Sequence, residues 1–123
     1  KFVFDDDGCR GEAIDSLISA GCILSGATVK RSLVFFASTM EKQTLVQDSV
    51  ILPKVSIGSN CRISRAIIDK GTVIPNNMVI GEDLELDRTR FHVTDEGIVL
   101  ITAEMLGQKL RTGDKDFIWR MGV

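Results

Sequence analysis

Val46-Gln-Asp-Ser-Val-Ile-Leu52 and, 17 residues later, Ile63-Ser-Arg-Ala-Ile-Ile-Asp69 share one order of apolar, polar and small positions, and Val29-Lys-Arg-Ser-Leu-Val-Phe35 repeats it 17 residues earlier. One more step of 17 reaches Ile80. Followed outward, aliphatic residues recur at Ile18, Ile23, Val29, Val34, Met40, Val46, Ile51, Ile57, Ile63, Ile68, Ile74 and Ile80, always five or six residues apart. That interval matches neither the 3.6-residue period of a helix nor the alternation of a single long strand. It matches a short strand and a corner repeated three times per turn, a hexapeptide β-helix in which one corner is a residue short.

Each aliphatic then points into a triangular prism, and coils stack at the ~4.8 Å strand spacing. Three interior ladders are predicted: Ile23, Met40, Ile57, Ile74; Ile18, Val34, Ile51, Ile68; and Val29, Val46, Ile63, Ile80. Turn formers fall between them, at Ser25-Gly26, Gly58-Ser59-Asn60, Lys70-Gly71 and Pro75-Asn76-Asn77. Ala27, Thr44 and Cys61 recur at one small-residue place in successive coils. A helical alternative would set β-branched residues and turn formers against their propensity throughout.

The pattern ends at Ile80. Residues 81–90 are charged and are expected to form a turn or loop, followed by a strand at Gly97-Ile-Val-Leu-Ile101 and a short helix over 103–110 with Thr102 as its N-cap. The resulting division is a strand or linker over 1–13, the β-helix over 14–81 and a capping tail over 82–123. Lys1 is not a Met and leads directly into Phe2-Val3-Phe4, so a longer parent protein is expected.

The 123 residues carry 15 Lys and Arg against 17 Asp and Glu, with 44% hydrophobic and 26% charged residues. This balance disfavours disorder and a basic nucleic-acid surface. No apolar run approaches the ~18 residues of a membrane span. Cys9, Cys22 and Cys61 have no zinc-ligand spacing and are expected to be reduced thiols of a cytoplasmic protein.

With the coils in register, Lys1-Phe-Val3, Asp15-Ser-Leu-Ile-Ser-Ala-Gly-Cys-Ile23, Val50-Ile-Leu-Pro53, Ile67-Ile-Asp-Lys-Gly-Thr-Val-Ile-Pro75, Met78-Val-Ile-Gly81, Arg90-Phe91 and Glu96-Gly-Ile-Val-Leu100 resemble the C-terminal domain of bacterial glucose-1-phosphate adenylyltransferase, also called ADP-glucose pyrophosphorylase. The resemblance implies an all-β, left-handed parallel β-helix of about four coils with a short C-terminal strand and helix. It also implies a parent nucleotidyltransferase of glycogen synthesis that uses ATP and Mg in an N-terminal catalytic domain. That domain is expected to be missing here, because the chain has no GxGxxG and no P-loop. The segment alone is expected to be inactive, with no cofactor of its own and no catalytic or metal-binding residues.

What the resemblance leaves for this chain is homo-oligomerisation, usually as a tetramer, and a share in a site for phosphorylated metabolite effectors. Lys70 occupies the family's Ile-Ile-Asp-basic position, implied to contact effector. Where the family carries basic residues in the following helix, this chain has Ala103 and Gly107, and Lys109 and Arg111 are the candidate substitutes.

Other polar residues carry weaker expectations. Arg62, Arg65 and Lys70 fall within one coil and could hold a phosphate, although charge on a solenoid's outer face is more often solvation. Arg88 and Arg90 would share one side of an extended stretch, an exposed loop being the plainer reading. His92 is expected at the surface or packed in the tail, and one of Phe35 and Phe36 must point outward; Trp119 poses the same question. A trimeric hexapeptide acyltransferase, which would need a coil histidine as base, and a purely structural oligomerisation module are the alternatives.

Overall fold

The computed structural model describes residues 2–3 and 12–108. The chain winds through short strands joined by corners: β1 (Phe2–Val3); β2 (Glu12–Ile14), β3 (Leu17–Ile18) and β4 (Ile23–Leu24); β5 (Thr28–Lys30), β6 (Leu33–Val34) and β7 (Thr39–Met40); β8 (Leu45–Gln47), β9 (Val50–Ile51) and β10 (Ser56–Ile57); β11 (Arg62–Ser64), β12 (Ala66–Ile68) and β13 (Val73–Ile74); then β14 (Val79–Ile80). Every third strand pairs in parallel with the one a coil away. Sheet A is β1-β4-β7-β10-β13, sheet B is β2-β5-β8-β11-β14, and sheet C carries β3-β6-β9-β12 onward. The result is a β-solenoid of about four turns.

Beyond β14 the chain forms helix α1 (Leu84–Arg90), strand β15 (His92–Val93) and strand β16 (Val99–Ile101). β16 joins β12 in parallel, and β15 closes sheet C antiparallel to β16.

The interior columns lie as the spacing predicts, with one slip. Val29, Val46, Ile63 and Ile80 are buried along sheet B, and Val34, Ile51 and Ile68 along sheet C, with Ile101 adding a further rung and Ile18 half-buried. On sheet A the residue that stacks inward beneath Met40 is Leu24, fully buried, whereas Ile23 is 39% exposed beside Thr39. The cause is the corner before β5, where Ser25-Gly26 stands in place of the three-residue Glu41-Lys42-Gln43 and Gly58-Ser59-Asn60 of later coils. A corner one residue shorter moves the inward position one residue later.

Each corner stacks residues with left-handed backbone. Gly26, Gln43, Asn60 and Asn77 lead from sheet A to B; Asp15, Arg31, Asp48 and Arg65 from B to C; Gly21, Ala37, Lys54 and Gly71 from C to A. For non-glycine residues this costs roughly 1–2 kcal/mol each, offset in part by a backbone bond to the neighbouring coil. Arg31, Asp48 and Arg65 N–H donate to Ile14, Lys30 and Gln47 carbonyls at 2.9, 3.0 and 3.1 Å.

Buried hydroxyls satisfy the remaining corner groups. Thr44 Oγ1 donates to Gly58 O at 2.6 Å and accepts from Cys61 N–H at 3.3 Å. Ser38 does the same with Leu52 O and Val55 N–H, and Ser49 donates to Gln47 O in its own coil while accepting from Ala66 N–H. Cys61 follows Thr44 in its column and Cys22 precedes Ser38, their thiols donating to Pro75 and Phe35 carbonyls, which gives both cysteines a structural place. Cys9 lies outside the described residues.

Two tail expectations need correction. Residues 84–90 are an α-helix rather than a loop: Asp83 caps it by accepting from Leu86 N–H, and the fully buried Asp87 carboxylate accepts from Gly81 N–H at 2.8 Å and from Arg90. The helix expected over 103–110 is a single 3-10 turn, Glu104–Leu106, ended by Gly107 at φ 73°; Thr102 Oγ1 does accept from Met105 N–H. Residues 109 and 110, like Trp119, lie outside the described residues.

Candidate functional site

Lys70 stands at the corner between β12 and β13, half-buried, just before the left-handed Gly71. Its N–H is fixed by Asp69 Oδ1 at 2.9 Å, and Gly71 N–H donates to Pro53 O in the coil below. The corner backbone is thus pinned on both sides of Lys70, while its ammonium makes no hydrogen bond or ion pair among the described residues. An ammonium so placed is a point charge on a rigid base, suited to an anion.

Arg62 and Arg65 do not join it. Arg62 projects from sheet B and pairs with Glu82 at 2.6 Å, Arg65 occupies the corner between sheets B and C, and Lys70 the next corner, so sheet C separates the last two. The expected three-residue phosphate cluster is therefore three stations around one coil. Lys109 and Arg111 lie outside the described residues. Ala103 is buried and Gly107 ends a turn, so neither extends a basic patch.

Arg88 and Arg90 lie on α1, not on an extended stretch. Arg88 pairs with Glu85 at 3.1 Å, and Arg90 is held at 2.9 Å by Asp87, stacks on Phe91 and donates to Val79 O. His92 is exposed in β15, past the last complete coil. Phe35 and Phe36 are both exposed, so the apolar surface there is larger than the one outward ring expected.

Sequence reasoning missed the corner between sheets B and C. Its outward residues alternate in sign, Asp15, Arg31, Asp48, Arg65, and all are exposed. Arg31 and Asp48 form a two-pronged pair, Nε to Oδ1 at 2.7 Å and Nη2 to Oδ2 at 3.2 Å. The hydrogen bonds from Arg31 hold the Asp48 carboxyl below the usual carboxylate range, and Arg65 adds to this. Asp48 in turn raises the Arg31 guanidinium above its already high ordinary value. Sequence spacing contained the signal, since the four residues recur at 16 or 17, but alternation shows only once the coil is drawn.

Beside this corner a shallow depression of about 350 Å³ is lined by Asp48, Arg65 and Glu96 over Val50, Ile67 and Ile98. Among the described residues no group of three or more His, Cys, Asp or Glu side chains could hold a metal ion, and no helix is long and apolar enough to cross a membrane.

The family described as GlmU-like, C-terminal hexapeptide matches residues 1–101. The chain is 69% identical over 110 residues to a glucose-1-phosphate adenylyltransferase of Thiobacillus denitrificans, covering 89% of this chain and 25% of the relative. Enzymes of the same name from Hydrogenovibrio crunogenus and Methylococcus capsulatus are 59% and 61% identical, each over 89% of this chain and 26% of theirs. The chain spans about a quarter of the length of these curated relatives. With its left-handed hexapeptide coils it belongs to the GlmU-like C-terminal hexapeptide family, and it corresponds to the C-terminal part of bacterial glucose-1-phosphate adenylyltransferases.

Proposed function

We infer that this chain is the oligomerisation and effector-binding part of a glucose-1-phosphate adenylyltransferase. The parent reaction transfers the adenylyl group of ATP to the phosphate of glucose 1-phosphate and releases pyrophosphate. The observation that carries the reading is the match of nearly the whole chain to one quarter of enzymes bearing that name. The described residues offer no carboxylate cluster for Mg and the chain no phosphate-cradling glycine loop for ATP, so the catalytic step is assigned to the remaining three quarters of the parent.

Lys70 is the effector contact of this reading. Its corner is rigid, its charge has no partner among the described residues, and a phosphate needs such a charge more than a particular geometry. In the parent enzyme, Lys70→Ala is expected to raise the concentration of phosphorylated effector needed for half-maximal response about two- to fivefold, the worth of one charge contact near the surface. The unstimulated rate should stay within about twofold. Loss of both together would mean a folding defect, and an unchanged effector response would leave the chain a purely structural assembly module.

A further inference from the structure

Sheet C presents a different outer surface from its two neighbours. Its outward column is Leu17, Leu33, Val50 and Ile67, continued by Leu100 on β16 and His92 on β15, with Leu17 72% exposed and Leu33 40%. The matching column of sheet B is Ile14, Lys30, Gln47 and Ser64, and that of sheet A runs Ile23, Thr39, Ser56 and Val73, so polar residues interrupt both while the column of sheet C stays apolar through its four coils. Along one margin of the apolar column runs the corner ladder Asp15, Arg31, Asp48, Arg65. These are one face, since Asp48 and Arg65 line the same depression as Val50 and Ile67.

The sign order of that ladder is self-complementary under one operation. Turn a second copy about a two-fold axis parallel to the strands of sheet C, passing between the coils of Arg31 and Asp48. The charge columns then meet antiparallel: Asp15 faces Arg65 of the second copy, and Arg31 faces its Asp48. The four coil positions of the apolar column exchange under the same axis, Leu17 with Ile67 and Leu33 with Val50, and Leu100 on β16 lies beyond the matched coils. A slip of one coil sets Arg31 against Arg31 and Asp15 against Asp48, and a two-fold along the solenoid axis carries the ladder away to the opposite margin.

We propose that sheet C is an isologous interface on which a second copy of this chain docks antiparallel, its register set by the alternating Asp15, Arg31, Asp48, Arg65 ladder. The proposal rests on the assembly role inferred above and names its surface and symmetry. The apolar column supplies the affinity and the charges the register, because exposed ion pairs contribute little alone but like charges in contact are strongly unfavourable. Arg31 and Asp48 of both copies then make one four-charge network around the axis.

The test is sedimentation equilibrium of the 123-residue chain and three variants, with circular dichroism to verify folding. The wild-type chain is expected to dimerise. Arg31→Asp places like charges opposite Asp48 of the other copy, and Asp48→Arg does so opposite Arg31, so each alone should raise the dimer dissociation constant at least about tenfold. An equimolar mixture of the two should restore it, since every facing pair is again opposite in sign while the pair within each chain stays broken. The double variant Arg31→Asp/Asp48→Arg should dimerise like wild type. Dimers indifferent to the single variants, or a mixture no tighter than its components, would overturn this face and leave the assembly role standing. A wild-type chain monomeric at millimolar concentration would overturn both.

Discussion

A Cβ at Gly81 would overlap the carbonyl oxygen of Ser64 in the coil below, and Gly81 sits at φ 90°, which side chains avoid. Gly107 has a similar φ of 73° but open space around it. Two left-handed glycines thus separate backbone strain from collision. Gly107→Ala should cost about 1 kcal/mol, whereas Gly81→Ala must also shift a backbone carbonyl and should cost roughly 3 kcal/mol or more. Urea unfolding measures both, and equal costs would mean that the coils can part at Gly81. At the charged corner, the Asp48 carboxyl is held below its ordinary pKa by Arg31. A depressed carboxyl stabilises the fold above its unfolded pKa and loses that contribution as pH falls through the folded value. The Asp48 carboxyl carbon followed by NMR should therefore titrate below the usual 3.8. Arg31→Gln should bring it back up, and an unmoved midpoint would show that the pair does not persist in solution.

The strands are only two or three residues long, so no single one would hold its shape; each is stable because its inward aliphatic fills the prism. Ile57, between Met40 and Ile74 in its column, is the clearest case. Ile57→Ala should cost about 2–5 kcal/mol, because neighbours held by hydrogen bonds above and below cannot close the void. An unchanged melting temperature would remove Ile57 from the interior. The periodicity of such residues is why most of the fold is legible in the sequence. It fails where two apolar residues are adjacent, as at Ile23 and Leu24, because only the corner length decides which one turns inward. It is blind to α1, whose sequence Leu-Glu-Leu-Asp-Arg-Thr-Arg looks like solvated loop until Asp83 is seen capping it and Asp87 is seen buried. Lys70 is legible only through resemblance, since nothing in the local sequence distinguishes one corner lysine from another, and the corner ladder emerges only from stacking.

As a whole the molecule is a stack with two unlike ends. At the start, Ala13 occupies the column of Val29 and Val46 yet is exposed, and Ile18 at the foot of its own column is only half-buried, so the prism is open there among the described residues. At the other end each sheet is finished differently. β16 and β15 extend sheet C, Arg90 donates to Val79 O on sheet B, and on sheet A the Gln108 carboxamide accepts from Val73 N–H at 2.9 Å and donates to Val73 O at 2.6 Å. One side chain thus makes the two hydrogen bonds that another strand would make, which removes an open edge. In a stack whose coils contact only their neighbours, opening begins at the end with fewer bonds. Amide exchange should therefore be fast in β2 and β3, slow in β8 and β11, and slow at Val73 despite its place on the last rung of sheet A. Gln108→Ala should accelerate exchange at Val73 at least about fivefold, the worth of roughly one hydrogen bond, while leaving Val46 and Ile63 unchanged. Gln108→Glu keeps an acceptor for the N–H but loses the donor to the carbonyl, so its effect should fall between. If Val73 exchanges at the same rate in all three proteins, the edge of sheet A is protected by something other than this carboxamide.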